Sequence, residues 1–399
     1  MKPNPGGQLA PQDIVGRDAL IHDLKDILEQ QSVLLVAERR VGKTHVLEKF
    51  KAMAPAGWVV IKRDLESIRS GREFVECTMA DLYPHLEAKT NLRNWFQSLG
   101  EQAGGAQFGP IKLPNFAHRP WKQVLCDTIG HLHENPDIER LVFLWDELPW
   151  MLQGIAKTNP AEAMELLDTL RTLRQQNGNK LRMVFTGSLG LHHIIRALKA
   201  QGYANAPIND MQSIEVKPLS IEDAQGLVQQ LFTDSQLEAE HPSLYAQTAT
   251  AVDCMPYYIH HVVAAMVRKH RGQTNKLDWA TISAMVTQSI QAPEDTWNLQ
   301  HYEERTQEYY GTQRPQSLAL LDAVASSTTP LSIGDVIKRA KGTHPNVEPE
   351  QWQDLIRLLQ RDHYFARNDN GELDFKFSVV KRWWCWHRAL PSSVQGAPL

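Results

Sequence analysis

The sequence predicts an α/β chain: a parallel sheet, then a helical segment, then a closing winged helix-turn-helix. Three observations carry this. The apolar run Val33–Val36 is followed by a short loop and by Gly42-Lys43-Thr44, which opens a helix. A second apolar run, Leu141-Val142-Phe143-Leu144-Trp145, ends in Asp146-Glu147. Near the C-terminus, three helical periods precede two short strand patterns that flank Asn370-Gly371, a hairpin signal.

Residues 1–13 are rich in Pro and Gly and contain no apolar leader-like run, so they read as a disordered start. Ile14-Val15-Gly16-Arg17 then precedes an amphipathic helix with Leu20, Ile21, Leu24, Ile27 and Leu28 at helical spacing. The helix leads into the strand at Val33–Val36 and the loop after it. Unpaired backbone N–H groups at a helix start point at an anion, and the helix dipole adds positive charge there. Arg39, Arg40, Val41, Gly42, Lys43, Thr44 and His45 are therefore the expected phosphate contacts, with Lys43 reaching the β- and γ-phosphates and Thr44 binding Mg²⁺. The match to G-x-x-x-x-G-K-[ST] lacks its first glycine, where Ala37 stands. Alanine tolerates left-handed backbone poorly, so the loop's entry turn is expected to be relaxed or strained.

Residues 58–62 read as the next strand, and the βαβ order implies a right-handed crossover in a parallel sheet. Residues 65–137 are less legible: a helix around 74–86, a Gly- and Pro-containing linker over 100–120 expected as a surface loop or short hairpin, and a helix from Trp121. The run ending in Asp146-Glu147 has the continuous hydrophobicity of a strand buried on both faces. Acids at the C-terminal end of such a strand sit where α/β proteins bind ligands. Asp146 is expected to hold Mg²⁺ through its water and Glu147 to polarise the attacking water; alone, the same pattern also fits a strand followed by a helix N-cap. The helix after Pro149 turns Leu166, Leu167, Leu170 and Leu173 inward and leaves Arg171 and Arg174 on a solvated face, in preference to a role in stabilising phosphate charge. The strand at 181–185 ends in Thr186-Gly187-Ser188. A hydroxyl there, Ser188, suits either contact with the γ-phosphate or attacking water, or a cap on the helix over 191–199.

A composition of 42% hydrophobic and 22% charged residues is that of an ordinary globular protein. The formal net charge of −4 excludes a chain that binds nucleic acid by bulk charge, so any such contact must be a local patch. Cys77, Cys126, Cys254 and Cys385 lie far apart without C-x-x-C spacing, which speaks against a disulfide framework or a zinc site and fits a reducing cytoplasm. No run of apolar residues is long enough to span a membrane, so no membrane partner is expected.

Taken together, these residues resemble the AAA+-related P-loop ATPases of the STAND and archaeal-type group. The resemblance rests on Val15-Gly16-Arg17, the loop from Ala37 to Thr44 with its Glu-Arg-Arg insert, the run ending in Asp146-Glu147, and Phe185-Thr186-Gly187-Ser188. It continues through Glu215-Val216-Lys217-Pro218-Leu219-Ser220, which in this group opens a helical lid, and Met255-Pro256-Tyr257-Tyr258, similar to its G-x-P motif. The likeness implies a P-loop NTPase sheet of AAA+ type that binds ATP or ADP with Mg²⁺ between sheet and lid, Val15 and Gly16 near adenine and Pro256 packing from the lid. Besides Ala37, two departures stand out. Cys254 occupies the usual glycine position of the lid motif, and the segment at 205–211 lacks the arginine often found there, leaving Arg171, Arg174 and Arg196 as candidates for the arginine finger. Asn275-Lys276-Leu277-Asp278 spells a guanine-reading motif, but it follows a polar basic stretch and Asp278 is better placed to cap the helix beginning at Trp279, so adenine is preferred.

Helical periodicity dominates 221–310, with Ala224, Leu227, Val228 and Leu231 on one face and Tyr258, Ile259, Val262, Val263 and Met266 on another. His192-His193 and His260-His261 are adjacent pairs that point apart on a helix, which disfavours metal sites beyond Mg²⁺. Further on, helices at 317–325, 333–340 and 349–361 precede the hairpin. Gln351, Gln353, Arg357, Gln360 and Arg361 would suit DNA, whereas Glu348, Glu350, Asp354 and Asp362 weaken phosphate attraction and favour docking of a protein. The tail, with Trp383, Trp384 and Trp386, reads as a helix packed on this module. The expected organisation is an ATPase domain over 1–215, a lid over 216–312 and a winged helix over 313–399. The expected role is an ATP-hydrolysing switch, with a DNA-binding regulator or an effector-docking scaffold as alternatives and self-association open.

Overall fold

The computed structural model describes residues 1–85, 107–108, 111–112, 119–187, 190–270 and 276–391. Two compact units account for them: Arg17–Ala37 with Lys43–Val216, and Met1–Gly16 with Glu38–Gly42 and Lys217–Leu399.

The first unit runs α1 (Asp18–Gln30), β1 (Val33–Val36), α2 (Lys43–Ala52), β2 (Trp58–Asp64), α3 (Gly71–Leu82), β3 (Gln107–Phe108), β4 (Ile111–Lys112), α4 (Trp121–His133), β5 (Arg140–Asp146), α5 (Leu148–Thr158), α6 (Pro160–Gln176), β6 (Leu181–Thr186), α7 (Leu191–Ala200) and β7 (Gln212–Glu215). Five strands form one sheet in the order β2-β5-β6-β1-β7, every pair parallel. The acidic and hydroxyl-bearing strands are the most completely buried: in β5, Leu141 through Asp146 are all buried, and in β6 all of Leu181 through Thr186. Helices cover strands of this kind on both sides. Trp145 anchors the core, stacked on Phe143 at 4.7 Å and met edge-on by Phe74 at 5.0 Å between ring centroids. Gln107–Phe108 and Ile111–Lys112 pair antiparallel, the short hairpin expected within the linker, most of which lies outside the described residues.

A charged residue inside β6 has a local explanation. Arg182 is buried and donates from Nε to the Leu28 carbonyl and from Nη2 to the Glu29 carbonyl, both at 2.8 Å. These are C-terminal carbonyls of α1, which have no helical N–H partner, so the guanidinium caps them. Burial, with Arg140 nearby, lowers the Arg182 pKa to about 10, still charged at neutral pH.

Arg174 departs from the sequence-based expectation of a solvated side chain. It is buried and holds Asp210 in a fork, Nε to Oδ2 at 2.8 Å and Nη2 to Oδ1 at 2.9 Å, and also donates to the Pro207 carbonyl. Paired geometry of this kind is what allows a guanidinium to be buried. The segment at 205–211 thus supplies the carboxylate that holds Arg174 in place.

In the second unit, α8 (Ile221–Asp234), α9 (Ser243–Ala251), α10 (Pro256–Lys269) and α11 (Trp279–Ile290) pack on one another, and α12 (His301–Tyr310) follows. Ser220 caps α8 and Asp278 caps α11, its Oδ1 accepting from the Thr281 N–H at 2.8 Å, as expected of that residue. The chain closes with α13 (Arg314–Ala325), α14 (Ile333–Lys341), α15 (Pro349–Arg361), the hairpin β8 (Phe365–Arg367) and β9 (Leu373–Phe375), and α16 (Ser378–His387). The hairpin turns at Asn368–Gly371, closed by the Gly371 N–H on the Asn368 carbonyl at 2.9 Å, with Gly371 left-handed at φ 80°. In α16, Trp383 and Trp384 are buried and Trp386 is 43% exposed; Trp384 Nε1 donates to Asp322 on α13 at 2.9 Å.

The start of the chain is not a loose tail. The Met1 ammonium pairs with Asp234, the Asn4 N–H donates to His260 Nδ1 at 3.1 Å, and Gly6 approaches Tyr257. Low hydrophobicity signalled disorder, but long-range polar contacts with α8 and α10 hold the segment. Among the described residues, no helix is long and apolar enough to cross a membrane.

Candidate functional site

The C-terminal edge of the sheet gathers several of the candidate site residues. The strand β1 ends at Val36, and the chain reaches Lys43 at the start of α2 through a loop whose left-handed positions are Arg40 (φ 69°) and Gly42 (φ 98°). Ala37 is not among the positive-φ residues, so the missing glycine imposes no strain at the entry turn; the non-glycine strain falls on Arg40 instead. Lys43 is 7% exposed and its Nζ donates to the Ala37 carbonyl at 3.0 Å.

Thr44, next on the helix, donates from Oγ1 to Asp146 Oδ2 at 2.8 Å. Asp146 is buried at the tip of β5, and its Oδ1 accepts the Glu147 N–H at 3.1 Å. Burial raises the Asp146 pKa, offset in part by the Thr44 hydrogen bond and the Lys43 charge, while Asp64 raises it further. Asp64 is a residue the sequence reading missed: it ends β2 and stands opposite Asp146 in the parallel register. It follows the charged pair Lys62-Arg63 at the end of β2, so no apolar run ending in an acid singled it out.

Glu147 is left-handed at φ 55° and immediately precedes α5, with Pro149 in the first turn. Gly187, just past β6, comes so close that a Cβ there would lie 2.6 Å from Pro149 Cδ and 3.3 Å from Glu147 Oε2. Glu147 therefore sits against the tip of β6, the strand flanking Asp146. Ser188 lies outside the described residues. The hydroxyl that is described at this tip is Thr186, paired in register with Leu35 of β1; its Oγ1 is buried and has no hydrogen-bond partner among the described residues. Of the arginine-finger candidates, Arg174 is committed to Asp210, and Arg196 is exposed on α7.

Val15, Gly16, Arg39, Arg40, Val41, Gly42 and Pro256 belong to the second unit, whereas His45 stands on α2. Gly16 is left-handed at φ 66°, and a Cβ there would meet the Asp223 side chain at 2.8 Å, so only glycine fits. Arg40 lies over the Tyr257 ring at 4.4 Å. Pro256 is the first residue of α10, preceded by Asp253 and Cys254 at φ 54° and 52°, so the position that departs from glycine does carry glycine-like backbone. The Asp253 carboxylate accepts the Ser378 and Val379 N–H groups at 2.9 Å each, capping α16.

The donor set can be tested against Mg²⁺ and a nucleotide. Thr44 and Asp146 bring two hard oxygen donors together, the ligand chemistry Mg²⁺ takes. Lys43 is a buried cation beside them, and the Thr186 hydroxyl is a buried polar atom at the strand tip in need of a partner. These residues fit a magnesium nucleotide.

No protein-family model matches the chain, and none of the curated proteins compared matches it. Solved structures do. A Walker-type ATPase of Pyrococcus abyssi superposes with TM-score 0.64 at 15% identity over 94% of this chain and 96% of that one. The ORC2 protein of Aeropyrum pernix, in ADPNP-ADP complexes, matches with TM-score 0.55 at 11% identity over 96% and 97%. At these identities the likeness is one of fold.

Proposed function

With the fold of an AAA+-related P-loop ATPase as the premise, we propose that this chain binds ATP with Mg²⁺ and hydrolyses it as a molecular switch. The observation that carries the reading is the Thr44–Asp146 hydrogen bond at 2.8 Å, which joins the helix after the phosphate loop to the acidic strand tip. In this reading Lys43 and the loop N–H groups hold the phosphates, and Thr44 and Asp146 hold Mg²⁺. The metal would offset charge on the phosphates. Glu147, fixed by its Asp146-bound N–H, accepts a proton from the attacking water, and a hydroxyl at the β6 tip, Thr186 or Ser188, orients that water. Val15, Gly16 and Pro256 are the proposed surroundings of the base.

The switch itself would use a lid over 216–312 and a winged helix over 313–399. Free thiols at all four cysteines suit the cytoplasm. An effector protein is the favoured partner of the winged segment, and self-association is compatible with the reading. Binding of DNA there has one observation in its favour, the exposed Gln351, Gln353, Arg357 and Arg361 of α15. Against it, Arg357 is held by Asp354 at 2.6 Å on the same face. A mobility shift on random duplex that weakens steeply with salt would support DNA.

The test is Mg²⁺-dependent ATP hydrolysis by the purified chain beside Glu147→Gln, with bound nucleotide released by denaturation and identified. Turnover lost in the variant while ATP binding persists is the expected result. Equal turnover in both would remove Glu147 from the mechanism.

A further inference from the structure

The phosphate loop carries a buried ion pair that the proposed chemistry does not use. Glu38 follows the loop's first residue and is 3% exposed. Its Oε1 accepts Arg305 Nη1 at 2.8 Å and the Arg39 backbone N–H at 2.7 Å. Arg305 comes from α12, has a side chain 11% exposed, and donates from Nη2 to the Asp362 carbonyl just after α15. Its guanidinium lies 5.0 Å from the Tyr364 ring centroid, 5.4 Å from Tyr302 and 5.5 Å from Tyr309. The Tyr310 hydroxyl donates to Asp362 Oδ2 at 2.6 Å, closing the connection between α12 and the turn that leads to β8.

Buried charge pairs are seldom more stabilising than apolar side chains of the same volume, because both ions give up their hydration. What such a pair does supply is a fixed position: a fork and a carboxylate tolerate little displacement. Here one end of the pair fixes a peptide of the phosphate loop, since Glu38 holds the Arg39 N–H, and the other end is tied to the α15–β8 turn.

We infer that Glu38 and Arg305 are positioning residues for nucleotide binding, setting the conformation of the phosphate loop from α12 and the α15–β8 turn. The inference rests on the ATP reading above and adds its regulation. Arg305 acts in two ways. It orients the carboxylate that holds the Arg39 peptide, and it neutralises a negative charge five positions before Lys43, on the loop that must accept phosphates. A shift of the α15–β8 turn moves the Asp362 carbonyl and with it the anchor of Arg305. By linkage, nucleotide binding favours in return the arrangement in which that anchor is engaged.

The asymmetry of the pair supplies the test. Arg305→Met leaves Glu38 as an uncompensated carboxylate on the phosphate loop, whereas Glu38→Gln keeps an acceptor for the Arg39 N–H without its charge. Binding of a fluorescent ATP analogue with Mg²⁺ is measured on the full chain for the wild type, Arg305→Met, Glu38→Gln and the double variant, each checked for folding by circular dichroism and melting. Arg305→Met is expected to weaken binding by about tenfold or more, the size of an ordinary intersite coupling. Adding Glu38→Gln is expected to recover most of that loss, which a purely structural role for Arg305 would not allow. The double variant buries no unpaired charge, so if Arg305→Met fails to fold, Glu38→Gln, the double variant and Arg305→Lys still decide: the double variant should bind nearly as well as Glu38→Gln, and Arg305→Lys, which keeps the charge but loses the contact with the Asp362 carbonyl, should bind more weakly than the wild type. Wild-type affinity in folded Arg305→Met or Arg305→Lys, or loss without recovery in the double variant, overturns the inference. Absence of nucleotide binding by the wild type would instead overturn the ATP reading, and the inference with it.

Discussion

Thr44 Oγ1 donates to Asp146 Oδ2 at 2.8 Å, although the two residues are 102 positions apart in sequence. Removing the hydroxyl while keeping the shape, as in Thr44→Val, leaves a buried carboxylate short of a partner. A destabilisation of roughly 1–3 kcal/mol is expected in urea unfolding without nucleotide. Mg²⁺-dependent nucleotide binding should fall with it, and Lys43→Ala should abolish binding in the same titration. A Thr44→Val chain that unfolds at the wild-type urea concentration would mean that this hydrogen bond contributes nothing.

Gly187 touches Pro149 and Glu147 so closely that an added methyl must displace one of them. Pro149 belongs to a rigid helix start, so the displacement falls on Glu147 or on the β6 tip. Gly187→Ala is expected to cut ATP turnover by about tenfold or more while leaving the affinity for ATP within a few-fold, because a misplaced base costs far more in the transition state than in binding. Equal losses in both quantities would assign Gly187 to binding.

Cys254 holds a left-handed backbone at φ 52°, costing roughly 1–2 kcal/mol for a residue with a Cβ. Glycine removes that strain but adds entropy to the unfolded chain, so Cys254→Gly should gain about 0.5–1 kcal/mol over Cys254→Ala in chemical denaturation. A less stable glycine variant would show that the turn before α10 carries no strain.

The carboxyl of Glu38 gives a pH signature. Burial works against its charge, but Arg305 overrides it, helped by His301 and His363, and holds the pKa at about 2, below the ordinary 4.5. Tyr258 and Tyr302, raised in pKa mainly by burial, stay neutral around it, and burial keeps His301 below the usual histidine range. Because the folded pKa is the lower one, the unfolded chain binds more protons between these values, and stability from this group rises with pH there. The stability difference between the wild type and Glu38→Gln should therefore be full above pH 4.5 and shrink as pH falls toward 2. Denaturant titrations at pH 6 and pH 3.5 check it; an unchanged difference would rule out a depressed carboxyl.

Features encoded locally were legible in the sequence. The strand before Lys43, the apolar run ending in Asp146-Glu147, the Asp278 cap and the Asn370-Gly371 turn each follow from side-chain period or turn chemistry within a few residues. Pairings across long stretches were not. Arg174 looked solvated because its helical position does not reveal Asp210, 36 residues on. The polar start looked disordered because its contacts, Asp234 and His260, lie more than two hundred positions away. Glu38 read only as part of the loop's Glu-Arg-Arg insert; its meaning depends on Arg305, 267 positions later.

Neither compact unit is a continuous piece of chain. Met1–Gly16 and Glu38–Gly42 fold with Lys217–Leu399, so a cut at the end of β7 severs more than a linker. A fragment ending near residue 216 would keep Lys43 and Asp146 yet expose Glu38 to water without Arg305, and a fragment starting at 217 would lack both N-terminal pieces of its own unit. Dissection by truncation would thus create two incomplete halves, and nucleotide binding measured on the N-terminal half would describe a loop released from its restraint.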